Sequence, residues 1–204
     1  MALYFAFALV LSFSGLYVCK LCRIRPYPTA YIYGAANMLL WAVAFLACPV
    51  GNWLTLGINA AASTVLLCIF FTDLYEGLIY NRFVIALFIL GIVSFVCEPQ
   101  PQKLLGLIPG VFTAVLYFGF LLLHKKEKLG FGDVKMLLAA GLLLGGNGAV
   151  LAVILASLSF ALLVLTCRID KDTAVPFGPF IAVGTYIGLV FGPYIVDSYL
   201  SLFG

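Results

Sequence analysis

The stretch WLTLGINAAASTVLLCIFFTD, residues 53–73, decides the fold. It runs from Trp53 to Thr72 without a charge, and Asp73 closes it. A helix needs roughly 20 mostly apolar residues to cross the hydrocarbon core of a bilayer. Backbone groups in lipid must bond to one another, and a helix does this within itself. Residues 53–72 therefore read as a membrane-spanning helix with an acid at its edge.

The same pattern repeats on both sides of this stretch. Apolar runs of near-spanning length cover residues 2–18, 31–47, 53–72, 78–96, 104–123, 132–145, 149–167 and 177–196. Eight spans follow, joined by short connections that hold most of the proline, glycine and charge. The composition agrees: 65% of residues are hydrophobic and 9% charged, with a mean hydropathy of +1.19. A soluble domain is nearer half apolar and a quarter charged. The expectation is an all-α polytopic protein, one membrane domain over residues 1–204. The first run has no basic stretch before it and no small-residue cleavage site after it, so it reads as a retained helix. No basic run is long enough to imply a nucleic-acid partner. The six cysteines do not form a secreted disulfide framework; Cys48, Cys68, Cys97 and Cys167 read as small core or lipid-facing residues.

Charge gives the orientation. One set of connections holds Lys20, Arg23, Arg25, Arg82, Lys125, Lys126, Lys128, Lys135, Arg168 and Lys171, and the other holds Lys103 alone. Basic residues stay on the cytoplasmic side. The rich set is therefore cytoplasmic, and both termini are expected outside.

Among the acids, Glu98 and Asp197 fall on the outer side. Glu127, Asp170 and Asp172 share loops with Lys and Arg. Asp73, Glu76 and Asp133 remain, bordering spans on the cytoplasmic side. Ionisable groups there are costly and usually functional. Two such carboxylates suit a protease dyad that shares one proton, ion coupling in a transporter, or a divalent cation. Spacing alone leaves these open. Around Asp133 the chain reads Leu129-Gly130-Phe131-Gly132-Asp133-Val134-Lys135. The two glycines allow a sharp bend and the close approach of a substrate backbone. They equally suit a helix start whose dipole favours an acid in its first turn.

Three separated segments carry a family resemblance. They are Asp73-Leu74-Tyr75-Glu76-Gly77-Leu78-Ile79-Tyr80-Asn81, Gly130-Phe131-Gly132-Asp133-Val134-Lys135, and Val175-Pro176-Phe177-Gly178-Pro179-Phe180. Together they resemble the type IV prepilin peptidases, membrane aspartyl proteases of the Gly-x-Gly-Asp class. The resemblance implies a catalytic pair of Asp73 and Asp133 and needs no cofactor. It implies a prepilin-like protein substrate, cut behind a short basic leader at the inner face of the bacterial cytoplasmic membrane. Supporting roles fall to Gly130, Gly132, Lys135, Asn81, Pro176, Phe177, Gly178 and Pro179. Lys135 either orients the carboxylates or snorkels to the interface. Tyr80 departs from the family, which usually has proline there.

Bifunctional family members carry a cytoplasmic insertion with two Cys-x-x-Cys pairs and also N-methylate the product. Residues 19–30 hold one pair, Cys19 and Cys22, and read as a remnant of that insertion. One pair supplies two of the four ligands of a structural zinc, so no metal is expected unless a second chain contributes. The expectation is a peptidase without methyltransferase activity. The rivals are a transporter, which would place polar groups mid-span, and a non-enzymatic assembly subunit, which would not need paired acids. A presenilin-like protease is disfavoured because the last helix does not match its pattern.

Overall fold

Glycine, proline and charge break the chain where the apolar runs end. The computed structural model describes residues 30–47, 53–124, 130–167 and 175–202. Its helices are α1 Ala30–Ala47, α2 Trp53–Glu76, α3 Asn81–Cys97, α4 Pro101–Leu105, α5 Leu107–His124, α6 Phe131–Cys167 and α7 Gly178–Leu200. There is no strand among the described residues, in line with the all-helical expectation. Four stretches are long and apolar enough to cross a membrane: Trp53–Glu76, Pro101–Gly119, Phe131–Thr166 and Gly178–Tyr199. Ile32–Ala47 and Asn81–Cys97 are shorter apolar helices. The run at 2–18 and the Cys19–Cys22 pair lie outside the described residues.

Two boundaries differ from the sequence reading. The second helix continues one turn past residue 72, so Asp73 lies inside its last turn rather than beyond its end. The runs at 132–145 and 149–167 form one element, α6, interrupted at Gly145 with φ 75° and ψ 178°. An L side chain avoids that backbone region, and glycine does not. The loop expected over residues 145–148 is therefore reduced to one left-handed residue.

The neighbours of α6 show that the chain reverses at Gly145. Residues 131–144 run alongside α3 in the same direction, because Gly132 meets Ile79 just before α3 and Leu143 meets Gly91 within it. Residues 146–167 run against α7: Gly148 faces Gly188, and Gly184 faces Ala152. Phe160 then stacks edge-on against Phe177, with ring centroids 5.2 Å apart. Residue 178 lies against Asp73. Both ends of α6 therefore return to the end of the bundle that carries Asp73. The fifth helix runs antiparallel to residues 131–144, with Gly110 at Leu138 and the Tyr117 ring packed against that of Phe131, centroids 5.3 Å apart.

Leu66, Ile69, Leu87, Met136 and Ile181 fill the centre between these helices, each almost wholly buried. Ile85, Ile89, Phe112 and Leu158 point outward and suit contact with lipid. Polar contacts tie α1 on: Tyr186 donates to the Leu40 carbonyl and Tyr194 to the Ala47 carbonyl, both at 2.6 Å. Thr64 donates to Asn37 Oδ1 at 3.2 Å. In lipid, where apolar burial does not distinguish protein from solvent, small residues and such hydrogen bonds hold helices together.

The tightest approach is Gly106 against Gly141, where a Cβ on either would overlap the other's carbonyl oxygen. Gly57 has open space around it. Gly141→Ala is expected to cost about 1–3 kcal/mol by overpacking and to lower the thermal unfolding midpoint in detergent. Gly57→Ala, in mid-helix, is expected to leave the midpoint unchanged or raise it slightly.

Candidate functional site

Asp133 is the third residue of α6, and Gly130 stands at the cap position before it. The Asp133 N–H donates to the Gly130 carbonyl at 3.1 Å, and the Gly130 N–H donates back to the Asp133 carboxyl. This reciprocal pair satisfies two groups that a helix start leaves open. The acid also lies in the first turn, where the helix dipole favours negative charge. Of the two readings the sequence left open for the glycines, the structure has the helix start with an acid in its first turn. Neither Gly130 nor Gly132 has a positive φ; among the described glycines only Gly77 and Gly145 do. Their use is space. A Cβ on Gly130 would stand 2.9 Å from Asp133 Oδ2, and one on Gly132 would stand 3.0 Å from the Ile79 Cβ.

Asp73 has a different arrangement. Its carboxyl faces the N-terminus of α7, and the Gly178 N–H donates to it. A Cβ on Gly178 would lie 2.5 Å from Asp73 Oδ2 and 2.9 Å from its Cγ. Glycine is required here because the carboxylate occupies the side-chain space. Asp73 Oδ2 itself is buried and has no hydrogen-bond partner among the described residues. A buried polar atom in that state costs free energy and calls for a ligand or water.

Asp73 and Asp133 are 5% and 8% exposed and lie within electrostatic reach of one another. Among the described residues no cation pairs with either. The nearby Lys135 instead donates to Asn81 Oδ1 at 3.0 Å, with its Nζ 4.3 Å from the centroid of the Phe131 ring. That bond joins the segment after Asp73 to the segment carrying Asp133. Phe177 precedes α7 and packs against Phe160. Pro179 lies in the first turn of α7, where a missing N–H costs nothing. Pro176 is half-buried in the connector before it.

The three sequence segments thus meet at one end of the bundle. Ile79 was not singled out by the sequence, since it is one apolar residue among many. Its side chain contacts the open faces of both Gly132 and Gly178. Among the described residues there is no group of three or more His, Cys, Asp or Glu able to hold a metal ion. A cavity of about 610 Å³ opens at the opposite end of the bundle, lined in part by Asn59, Glu98, Lys103, Asn147 and Asp197. It does not touch the acids at Asp73 and Asp133.

The model of the type IV leader peptidase family matches residues 60–165. The chain belongs to that family. It is 31% identical over 145 residues to the prepilin leader peptidase/N-methyltransferase of Aeromonas salmonicida, covering 67% of this chain and 50% of that protein. It is 36% identical over 129 residues to the leader peptidase HopD of Escherichia coli, covering 58% of this chain and 83% of that protein. A third relative, from Bacillus subtilis, is 27% identical over 190 residues, covering 90% of this chain and 75% of that protein. The chain spans about half the length of the first of these. No solved structure matches it.

The Gly178 contact is open to test. Gly178→Ala is expected to push the Asp73 carboxylate aside, to cost about 1–3 kcal/mol by overpacking, and to lower the thermal unfolding midpoint in detergent. Gly192→Ala, on the same helix with open space around it, should leave the midpoint unchanged.

Proposed function

We propose that this protein is a membrane aspartyl endopeptidase that removes the leader from prepilin-like proteins, with Asp73 and Asp133 as its catalytic pair. The observation that carries the reading is two buried carboxylates within electrostatic reach of one another, with no cation paired to either among the described residues, in a chain of the leader peptidase family. An ion-coupling pair would more usually sit mid-span, and these acids sit together at one end of the bundle. The names of the relatives support the substrate class.

The chemistry needs one acid ionised and the other protonated, which two adjacent carboxyls favour because both cannot ionise cheaply. The ionised member takes a proton from water as the water oxygen attacks the scissile carbonyl. The protonated member hydrogen-bonds the carbonyl oxygen that becomes negative. As the tetrahedral intermediate collapses, the C–N bond breaks and the leaving amine receives a proton from the pair. The unpartnered Asp73 Oδ2 suits contact with that water or with the peptide.

The topology of this reading has eight spans, with the acids at the cytoplasmic face of the bacterial inner membrane and both termini outside. In support, Arg82 and Lys135 lie at the end with the acids, and Lys103 lies at the other. A prepilin-like substrate would present its cleavage site at that inner boundary, where a basic leader meets an apolar helix. The short loop at residues 19–30, with its one cysteine pair, supports peptidase activity without N-methylation. Residues 1–204 are read as a single membrane domain.

The test is cleavage of a prepilin-like substrate in membranes by wild type, Asp73→Asn and Asp133→Asn. Each substitution keeps size and removes the ionisable group. Each is expected to lower kcat by at least about 100-fold while leaving the protein folded and inserted. Full activity in either variant would remove the pair from the mechanism.

A further inference from the structure

The residues between Asp73 and α3 form a short connector with an unusual fastening. Gly77 ends α2 with φ 65°, and its N–H donates to the Asp73 carbonyl at 2.9 Å. A left-handed glycine just past a helix end is a common stop. Two residues on, Ile79 lies between the glycine that precedes Asp133 and the glycine that faces Asp73. A Cβ on either would come within 3.0 Å of its side chain. The position of Ile79 therefore governs how closely α6 and α7 approach, and with them the two carboxylates.

The next residue, Tyr80, is fixed at both backbone and side chain. Its carbonyl accepts from the Phe83 N–H at 3.0 Å and so starts α3. Its hydroxyl donates to Glu76 Oε2 at 2.5 Å, a distance typical of a charge-assisted bond. The Arg82 guanidinium lies 4.7 Å from the centroid of its ring. Glu76 is the last residue of α2 and Tyr80 the cap of α3. The bond is thus a strap from the end of one helix to the start of the next. Hydrogen bonding to Glu76 also raises the Tyr80 phenol above its ordinary pKa, so it remains a donor through neutral pH.

We propose that Tyr80 and Glu76 are positioning residues whose hydrogen bond clamps the connector, so that Ile79 sets the spacing of the two carboxylates. The clamp acts through Ile79 on the pair assigned above and so rests on the peptidase reading. Tyr80 has φ −69° and ψ 130°, within the range a proline ring enforces. No hydrogen bond uses its N–H among the described residues. Proline at this position would supply by covalent restraint what the tyrosine supplies through its hydroxyl.

The experiment compares wild type, Asp73→Asn, Tyr80→Phe and Tyr80→Pro in nanodiscs. It reads kcat and KM on a prepilin-like substrate, and amide hydrogen exchange of residues 77–79. Tyr80→Phe should lower kcat about five- to tenfold with KM nearly unchanged, and should speed exchange in the connector. Tyr80→Pro, which also lacks the hydroxyl, should restore both kcat and slow exchange. Unchanged kcat and exchange in Tyr80→Phe would overturn the clamp. So would a Tyr80→Pro variant as impaired as Tyr80→Phe. If wild type does not cleave, or Asp73→Asn does, the peptidase reading fails instead, and the exchange data still judge the clamp.

Discussion

A carboxylate withdrawn from water must find hydrogen-bond donors, or its burial costs several kcal/mol. Among the described residues neither acid of this site takes a lysine or arginine for that purpose. Each sits instead at the N-terminus of a helix, where free N–H groups and the dipole offer partial positive charge. Such an amide can approach a carboxylate only if no side chain intervenes. The glycines at positions 130 and 178 follow from this requirement. A full countercharge would favour the ionised form of both acids, whereas an amide leaves room for a shared proton.

The rest of the bundle serves the same meeting. The reversal at Gly145 returns both ends of α6 to the acids. Glycine contacts let α5 and α7 lie close on either arm. The bundle is consequently polar at both ends in different ways. One end buries two acids in a tight site. The other opens into a cavity where Lys103 donates to the Ser94 carbonyl at 2.9 Å and lies 3.7 Å from Glu98. The cation that the sequence left isolated on that side is thereby satisfied locally.

Much of this was legible in the sequence because hydropathy and charge act over short range. The span at 53–72 and the helical class could be read directly, and the grouping of the three segments was implied by the family resemblance. What could not be read depends on contacts between distant residues. Gly178 belonged to a recognisable segment, but nothing local says that its missing side chain makes room for a carboxylate 105 residues earlier. The glycines before Asp133 suggested either a bend or a helix start; they open a helix, and their missing side chains make space for Ile79 and for the acid itself. Gly145 to Gly148 read as a loop, yet one left-handed residue suffices to turn the chain. Tyr80 looked like a mere departure from a family proline, and its backbone angles are those a proline would hold.

The two acids obtain their amides from different parts of the chain. Asp133 carries its donor with it, three residues upstream on the same helix start. Asp73 borrows its donor from α7, the last helix described. During synthesis the chain emerges from its N-terminus onward. Asp73 therefore waits without its amide while α3 to α6 are made, and gains it only when α7 docks. A partly built protein holds both acids but not the arrangement that makes them a pair. Connectivity alone thus leaves this site incomplete until α7 has docked.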